Sequence, residues 1–369
     1  MFLETGVKGR NAAVDVIYDG DQFDSNDNYM QWRARGHVIL DARQNTAYGT
    51  LRAYFVGGVS YATAAAADGG VQAPGGGNTG PSMDRAFIEF AGFTAGFTES
   101  FFSFGGAYSI VASPSLSWDW LPLIAYTAQL GNGLTATLSI QDGAAMRSTM
   151  AGTALYGGDN TPDIVGNFRV TQAWGSAQIM GALHELKTGA GAGNPGSAWG
   201  YAVGAGFEVK TPQTGAPNNS FLLQGVWSKG AVEYTGLASS PVTTAGVLGF
   251  ITGATGAVIP VDDAFGILGT LHKTEAWSVY AGYRHYWTPA LRTGFAAGIT
   301  DIDYDAAVNA VQNDGRVWQG TVSTIWSPVA GLDLSLDLVY SNVKASGPVV
   351  LGAGEEDIWT AWTRIRRNF

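Results

Sequence analysis

Arg33, Arg35 and Arg43 are separated by even numbers of residues, so in an extended chain their guanidinium groups leave the backbone on one side. Arg52 and Arg85 take the same side of the two extended segments that follow, which gathers five of the 20 Lys and Arg residues on three neighbouring segments. A basic wall of this kind attracts anions. Opposed by carboxylates across a water-filled gap, it sets up a transverse field that orients dipolar solutes and slows apolar ones. The opposing acids are expected from the stretch Gly105 to Leu121, which holds Asp119, and from Glu99 just before it. The alternative is that these arginines only solvate their own wall and pair with Asp41 or Glu89.

Two acidic clusters suggest a second chemistry. Asp19, Asp21, Asp24 and Asp27 crowd one loop, while Asp301, Asp303 and Asp305 alternate along one face at the end of a later segment. Hard divalent cations take such oxygen ligands, but ordinary solvated loops are the expectation and no cofactor is called for, with calcium at these loops as the weaker alternative. Neither cluster follows an EF-hand pattern. The matches Gly75-x-Gly77-x-x-Gly80 and Gly191-x-Gly193-x-x-Gly196 lie in glycine-rich loops with no helix after them, so they read as coincidence and not as a dinucleotide site. His37, His184, His272 and His285 have no metal-ligand spacing, and the absence of cysteine removes disulfides, thiolate zinc sites and cysteine nucleophiles.

The elements that must carry these residues show in the composition. Only 14% of the 369 residues are charged while 46% are hydrophobic, against roughly 25% charged in an ordinary soluble domain. Mean hydropathy is +0.06, yet no apolar run reaches the ~18 residues of a membrane helix. A net charge of −10 argues against nucleic acid as a partner, since phosphates need a basic face. The 52 glycines lack the three-residue period of collagen. Met1 to Thr5 has no basic and apolar leader pattern, so an export signal is expected to have been removed.

Periodicity of two dominates. Gln31 to Arg43 alternates a polar face with Trp32, Ala34, Val38 and Leu40; Leu134 to Gln141 and Leu332 to Ser341 alternate in the same way. Short turns such as Gly131-Asn132-Gly133 and Thr288-Pro289-Ala290 alternate with long Gly-, Asp- and Ala-rich loops. About ten-residue amphipathic strands joined alternately by short turns and long loops are the signature of a transmembrane β-barrel. The spacing predicts an all-β fold, a single antiparallel barrel over residues 1–369 with about sixteen strands, among them 83–91, 96–105 and 121–130. Gly236 to Lys273 has room for one more hairpin, which would make eighteen. A soluble β-sandwich would alternate too but would show a normally charged surface. Tyr48, Tyr61, Trp118, Trp120, Trp287, Trp318, Trp326 and Trp359 suit interfacial girdles.

Several stretches resemble the general-diffusion porins of alpha-proteobacteria, of the Brucella type. They are Leu40 to Arg43 with Ala47 to Tyr54, Arg85 to Gly96 with Ser100 to Phe102, Tyr126 to Leu138, Asp163 to Gln178, Trp277 to Pro289, and the terminal Phe369. The resemblance implies a sixteen-stranded homotrimeric barrel in a Gram-negative outer membrane, set among its lipids and lipopolysaccharide. It further implies a third external loop folded into the lumen, Phe369 as part of the assembly signal, and passive passage of small hydrophilic solutes and ions. A substrate-selective sugar channel would need an aromatic ladder, and the inward Tyr54, Tyr280, Tyr286 and Trp362 are scattered. A barrel enzyme would need a reactive pair at the rim, and an adhesin a plug, and neither is visible.

Overall fold

The computed structural model describes the whole chain apart from residues 1–2, 5–6, 22–28, 63–77, 110–112, 114, 153–155, 159, 191–194, 213–217, 238–242, 245–246, 249–258, 268, 310 and 348–353. Among the described residues, sixteen long strands follow one another: β1 (Val7–Asp21), β2 (Tyr29–Thr46), β3 (Gly49–Ala62), β4 (Asn78–Phe90), β5 (Phe93–Glu99), β6 (Trp120–Gly131), β7 (Leu134–Gln141) and β8 (Asp163–Gln172), then β9 (Gly175–Leu186), β10 (Ala198–Lys210), β11 (Ser220–Lys229), β12 (Glu275–Thr288), β13 (Leu291–Asp303), β14 (Asp314–Val329), β15 (Leu332–Ser346) and β16 (Gly354–Asn368). Each is antiparallel to the next. β16 returns to β1 with Trp362 opposite Ile17, which closes the ring. Closure leaves no strand edge to face hydrocarbon, where each unpaired backbone group costs several kcal/mol. Leu3–Glu4 prolongs the pairing along β2.

The side chains alternate as the sequence requires of a barrel in lipid. Along β2, Trp32, Val38 and Leu40 are exposed while Arg33, His37 and Asp41 are buried. The exposed set faces lipid and the buried set faces the lumen. Tight connections lie at one end, as at Gly131-Asn132-Gly133, where all three residues take the positive φ that such turns demand. Exposed aromatics mark two levels: Tyr48, Trp174, Trp287 and Trp326 at the short-turn end, and Trp32, Tyr61, Trp199, Trp318 and Trp359 toward the loops. Trp318 and Trp326 are eight residues apart on β14, ~27 Å along the strand at 3.4 Å per residue and ~20 Å along the membrane normal at a tilt of ~40°, a little less than an apolar band ~25 Å tall. Trp118 does not join either belt. It lies in the loop after β5 and packs on Trp120 with ring centroids 4.5 Å apart.

Gly236 to Lys273 adds no barrel hairpin among its described residues. Asp262–Ile267 and Thr270–Lys273 pair with each other, and Asp262–Ile267 pairs with Thr149–Gly152 of another loop, forming a small sheet separate from the barrel ladder. The buried Asp262 and Asp263 at its start leave it no face that lipid could accept. Strand β5 also departs from the expected 96–105: it has only 7 residues, because the chain turns inward at Ser100.

Candidate pore constriction and its charged wall

The chain between Glu99 and Trp120 is the third external connection, and it folds into the barrel. Its backbone is held by inward side chains of successive strands. On β8 Asn167 Nδ2 donates to the Phe101 carbonyl at 2.6 Å, and on β9 Gln178 Nε2 donates to that of Ser103 at 3.1 Å. On β11 the Gln224 carbonyl oxygen accepts from Ser117 N at 2.8 Å. Tyr108 reaches farthest: its hydroxyl donates to Glu208 at 2.5 Å and meets Ser220 at 2.7 Å. Burial and the bond to that carboxylate hold the Tyr108 hydroxyl well above its usual pKa, so it stays a donor. Thr300 Oγ1 on β13 donates to Ser115 Oγ at 2.9 Å.

Glycines of the inner wall make room for this loop. A methyl group on Gly206 would sit 2.3 Å from the Phe104 ring, and one on Gly294 would sit 2.1 Å from the Tyr108 carbonyl oxygen. Phe102, Phe104, Leu116 and Leu121 are fully buried against Leu222, Tyr234 and Tyr280, so the loop has an apolar core inside the lumen. Burying each such side chain is worth ~1.5–3 kcal/mol. The surplus of glycine and the apolar run Phe101-Phe102-Ser103-Phe104 thus find one explanation in the docking of this segment.

The five arginines singled out from the sequence all face the lumen, though at different depths. Arg43 and Arg52 stand opposite each other near the short turn between β2 and β3. Asp41 binds both, at 3.0 Å and 3.2 Å, and Glu89 takes Arg52 at 2.9 Å. These two are therefore largely neutralised within their own wall. Arg85, bound at 3.9 Å by Glu99, marks the level where the loop leaves the barrel. Arg33 and Arg35 lie nearer the outer end, with Arg33 over the Trp362 ring at 5.7 Å. Asp119 is buried at the base of the loop, its backbone N donating to Ser103 Oγ at 3.0 Å. It lies within electrostatic range of Glu99 and Glu233.

Sequence reasoning missed a second arginine group. Arg284 on β12, Arg292 on β13, and Arg364 and Arg366 on β16 line one cavity near the short-turn end. The signal was available: Arg364 and Arg366 repeat the alternate spacing of Arg33 and Arg35. Pairing joins the groups, because Arg364 lies opposite β1 residue 15 and Arg33 lies opposite the same residue from the other side. Arg366 and Arg35 flank residue 13 likewise. The arginines thus form one arc from β12 through β16 and β1 to β4, while the loop covers β8 to β13.

The outer mouth holds a buried polar network. His184 Nδ1 meets Asp163 at 2.8 Å, Tyr234 OH donates to Asp163 at 2.6 Å, and Tyr156 OH donates to Asp263 at 2.8 Å. His184 and both aspartates are almost wholly enclosed, which leaves no room for a substrate and gives the pair the role of holding loops together. Nearby Glu233, in the 3-10 turn Val232–Thr235, is pushed up to about 8, first by burial and then by Asp263 and Asp119. A carboxyl raised in this way favours the folded mouth when protonated. That contribution is complete below the ordinary carboxyl pKa and lost as pH rises through about 8. Infrared spectra at pH 7 should show a protonated-carboxyl band that Glu233→Gln removes; a band unaffected by the substitution would contradict the assignment.

Asp301 pairs with Arg316 and has Asp303 beside it, while Asp305 turns to His272 at 3.4 Å. Residues 24 and 27 lie outside the described residues, as do the side chains of Asp19 and Asp21. Among the described residues no group of three His, Asp or Glu side chains is placed to hold a metal. The terminal Phe369 is exposed, with the Arg367 guanidinium 5.3 Å from its ring.

Residues 9–362 match the family model described as the porin subfamily. No curated protein sequence matches the chain. Among solved structures, the outer membrane channel DcaP of Acinetobacter baumannii is similar with a TM-score of 0.73 at 15% identity, over 100% of this chain and 97% of that one. The anion-selective porin from Comamonas acidovorans gives 0.56 at 13%, over 99% and 100%. The trimer form of OmpT of Vibrio cholerae gives 0.53 at 6%, over 100% of both chains. Identities this low establish a shared barrel fold.

Proposed function

The chain belongs to the porin family, and from that premise we propose that its solute path runs between the docked loop and the arginine arc and prefers anions. The protein is an outer-membrane porin of a Gram-negative bacterium, a channel through which small hydrophilic solutes diffuse passively. Its family and fold are those of a channel and not of an enzyme. One observation carries the anion preference: the arc gathers Arg33, Arg35, Arg85, Arg284, Arg292, Arg364 and Arg366 on the lumen side of neighbouring strands, opposite the docked loop. Arg85 with Glu99 marks the narrow level. Low-dielectric walls focus such a field and raise the local anion concentration.

The passive mechanism follows from the same geometry. Polar side chains and water replace the hydration that a solute would lose in lipid, and nothing in the path needs to move for each passage. Proteoliposome swelling tests this: rates for neutral sugars should fall smoothly with solute size, and an anion of equal size should enter faster. A rate that saturates with one sugar would overturn the general-diffusion reading. A homotrimer is the expected assembly, supported by the fold shared with the OmpT trimer form, and sedimentation in detergent measures it.

A further inference from the structure

Resting on the anion preference proposed above, we infer that Arg284, Arg292, Arg364 and Arg366 form a second anion site, at the periplasmic mouth, that binds the oxyanion head of a phosphate- or carboxylate-bearing solute. The cavity they line measures about 790 Å³ and is closed on its upper side by Ala107, Tyr108 and Ser109 of the docked loop. Pro289, Ala290, Ser327 and Pro328 of the short turns form its rim, so it opens where a solute leaves the barrel.

Its described lining carries four guanidinium groups. Among the described residues Asp333 is the one carboxylate in the lining, and it is already engaged: Ser327 Oγ donates to it at 2.6 Å, Arg366 binds it at 3.0 Å and Arg292 at 3.5 Å. Across from Arg364 on the neighbouring strand stands Asp15. Arg284 lies over the Tyr108 ring at 4.1 Å, which steadies the guanidinium without neutralising it. Arg366 Nε is buried and has no hydrogen-bond partner among the described residues. A buried donor of a charged group left without an acceptor is costly, and an oxyanion supplies the acceptor. Guanidinium groups bind phosphate and carboxylate through paired parallel hydrogen bonds, a geometry an ammonium group cannot copy.

The site also has a place in the path. Arg364 and Arg366 are two strand spacings from Arg33 and Arg35 along the same cross-strand rows, ~10 Å at ~4.8 Å per strand. An anion that has passed the outer pair therefore finds the next binding position within one short step. Conduction needs sites that hold weakly enough to release, so occupancy here slows the flow of smaller anions.

Inorganic phosphate is the probe. Added to each chamber in turn of a planar bilayer holding the full-length channel in KCl, it should block chloride current more strongly from one side. Arg364→Gln with Arg366→Gln should raise the half-blocking concentration about tenfold or more, as expected for lost charge-assisted bonds. Arg364→Lys with Arg366→Lys keeps the charge and loses the paired geometry, and should restore part of the block. A chloride-preferring wild type without phosphate block, or one whose block is unchanged in a conducting Gln variant, would overturn the site and leave the anion preference standing. A wild type without chloride preference would instead remove the reading on which the site rests.

Discussion

Replacing Arg33 and Arg35 by glutamine should move the reversal potential of the channel toward the cation side, and replacing both by glutamate should change its sign. In a tenfold KCl gradient the ideal limit for a monovalent ion is about 59 mV, so both shifts are readily measured. The two residues face the lumen toward the outer end, away from Asp41 and Glu89, which already serve Arg43 and Arg52. Altering Arg43 and Arg52 should have a smaller effect, because each is compensated locally. The preference should also weaken between 0.1 M and 1 M salt, as the screening length shrinks from ~10 Å to ~3 Å. An unchanged reversal potential in the glutamate variant would remove Arg33 and Arg35 from the selective path.

Loosening or crowding the docked loop should change conductance in opposite directions. Gly294→Leu places a side chain where the Tyr108 carbonyl oxygen now sits, since even a methyl group would come within 2.1 Å of it. The loop must then shift from the wall toward the arginine arc, and conductance should fall by more than half. Phe104→Ala removes a wholly buried ring from the apolar core of the loop itself, a change that costs ~3–5 kcal/mol in comparable sites. Conductance of that variant should rise and its current should become noisy. Phe104 lies outside the ladder of the barrel, and Gly294→Leu keeps the backbone that pairs with Arg284 and Ser323, so both variants should still assemble. Equal conductance in both variants and the wild type would show that the loop does not bound the path.

Much of this architecture is legible in the chain. Alternation of Trp32, Val38 and Leu40 with Arg33, His37 and Asp41 reveals which face meets lipid, and pairing in the barrel follows chain order, so neighbours need no long-range inference. Two features resist a local reading. Where β5 stops depends on Ser100 to Phe104 finding glycine-lined space on strands more than a hundred residues later, as Gly206 and Phe104 show. Arg364 joins Arg33 only because β16 closes onto β1, a contact across the full length of the chain. The acids expected to face the arginines illustrate the same limit: Glu99 does reach Arg85, while Asp119 turns into the root of the loop.

The most direct test of a passive, anion-preferring path between loop and arc is the reversal potential of the purified wild-type channel in a planar bilayer under a tenfold KCl gradient. Steady ohmic current with a potential on the chloride side is the predicted result. Current that reverses at zero or on the potassium side, with the barrel intact, would contradict it.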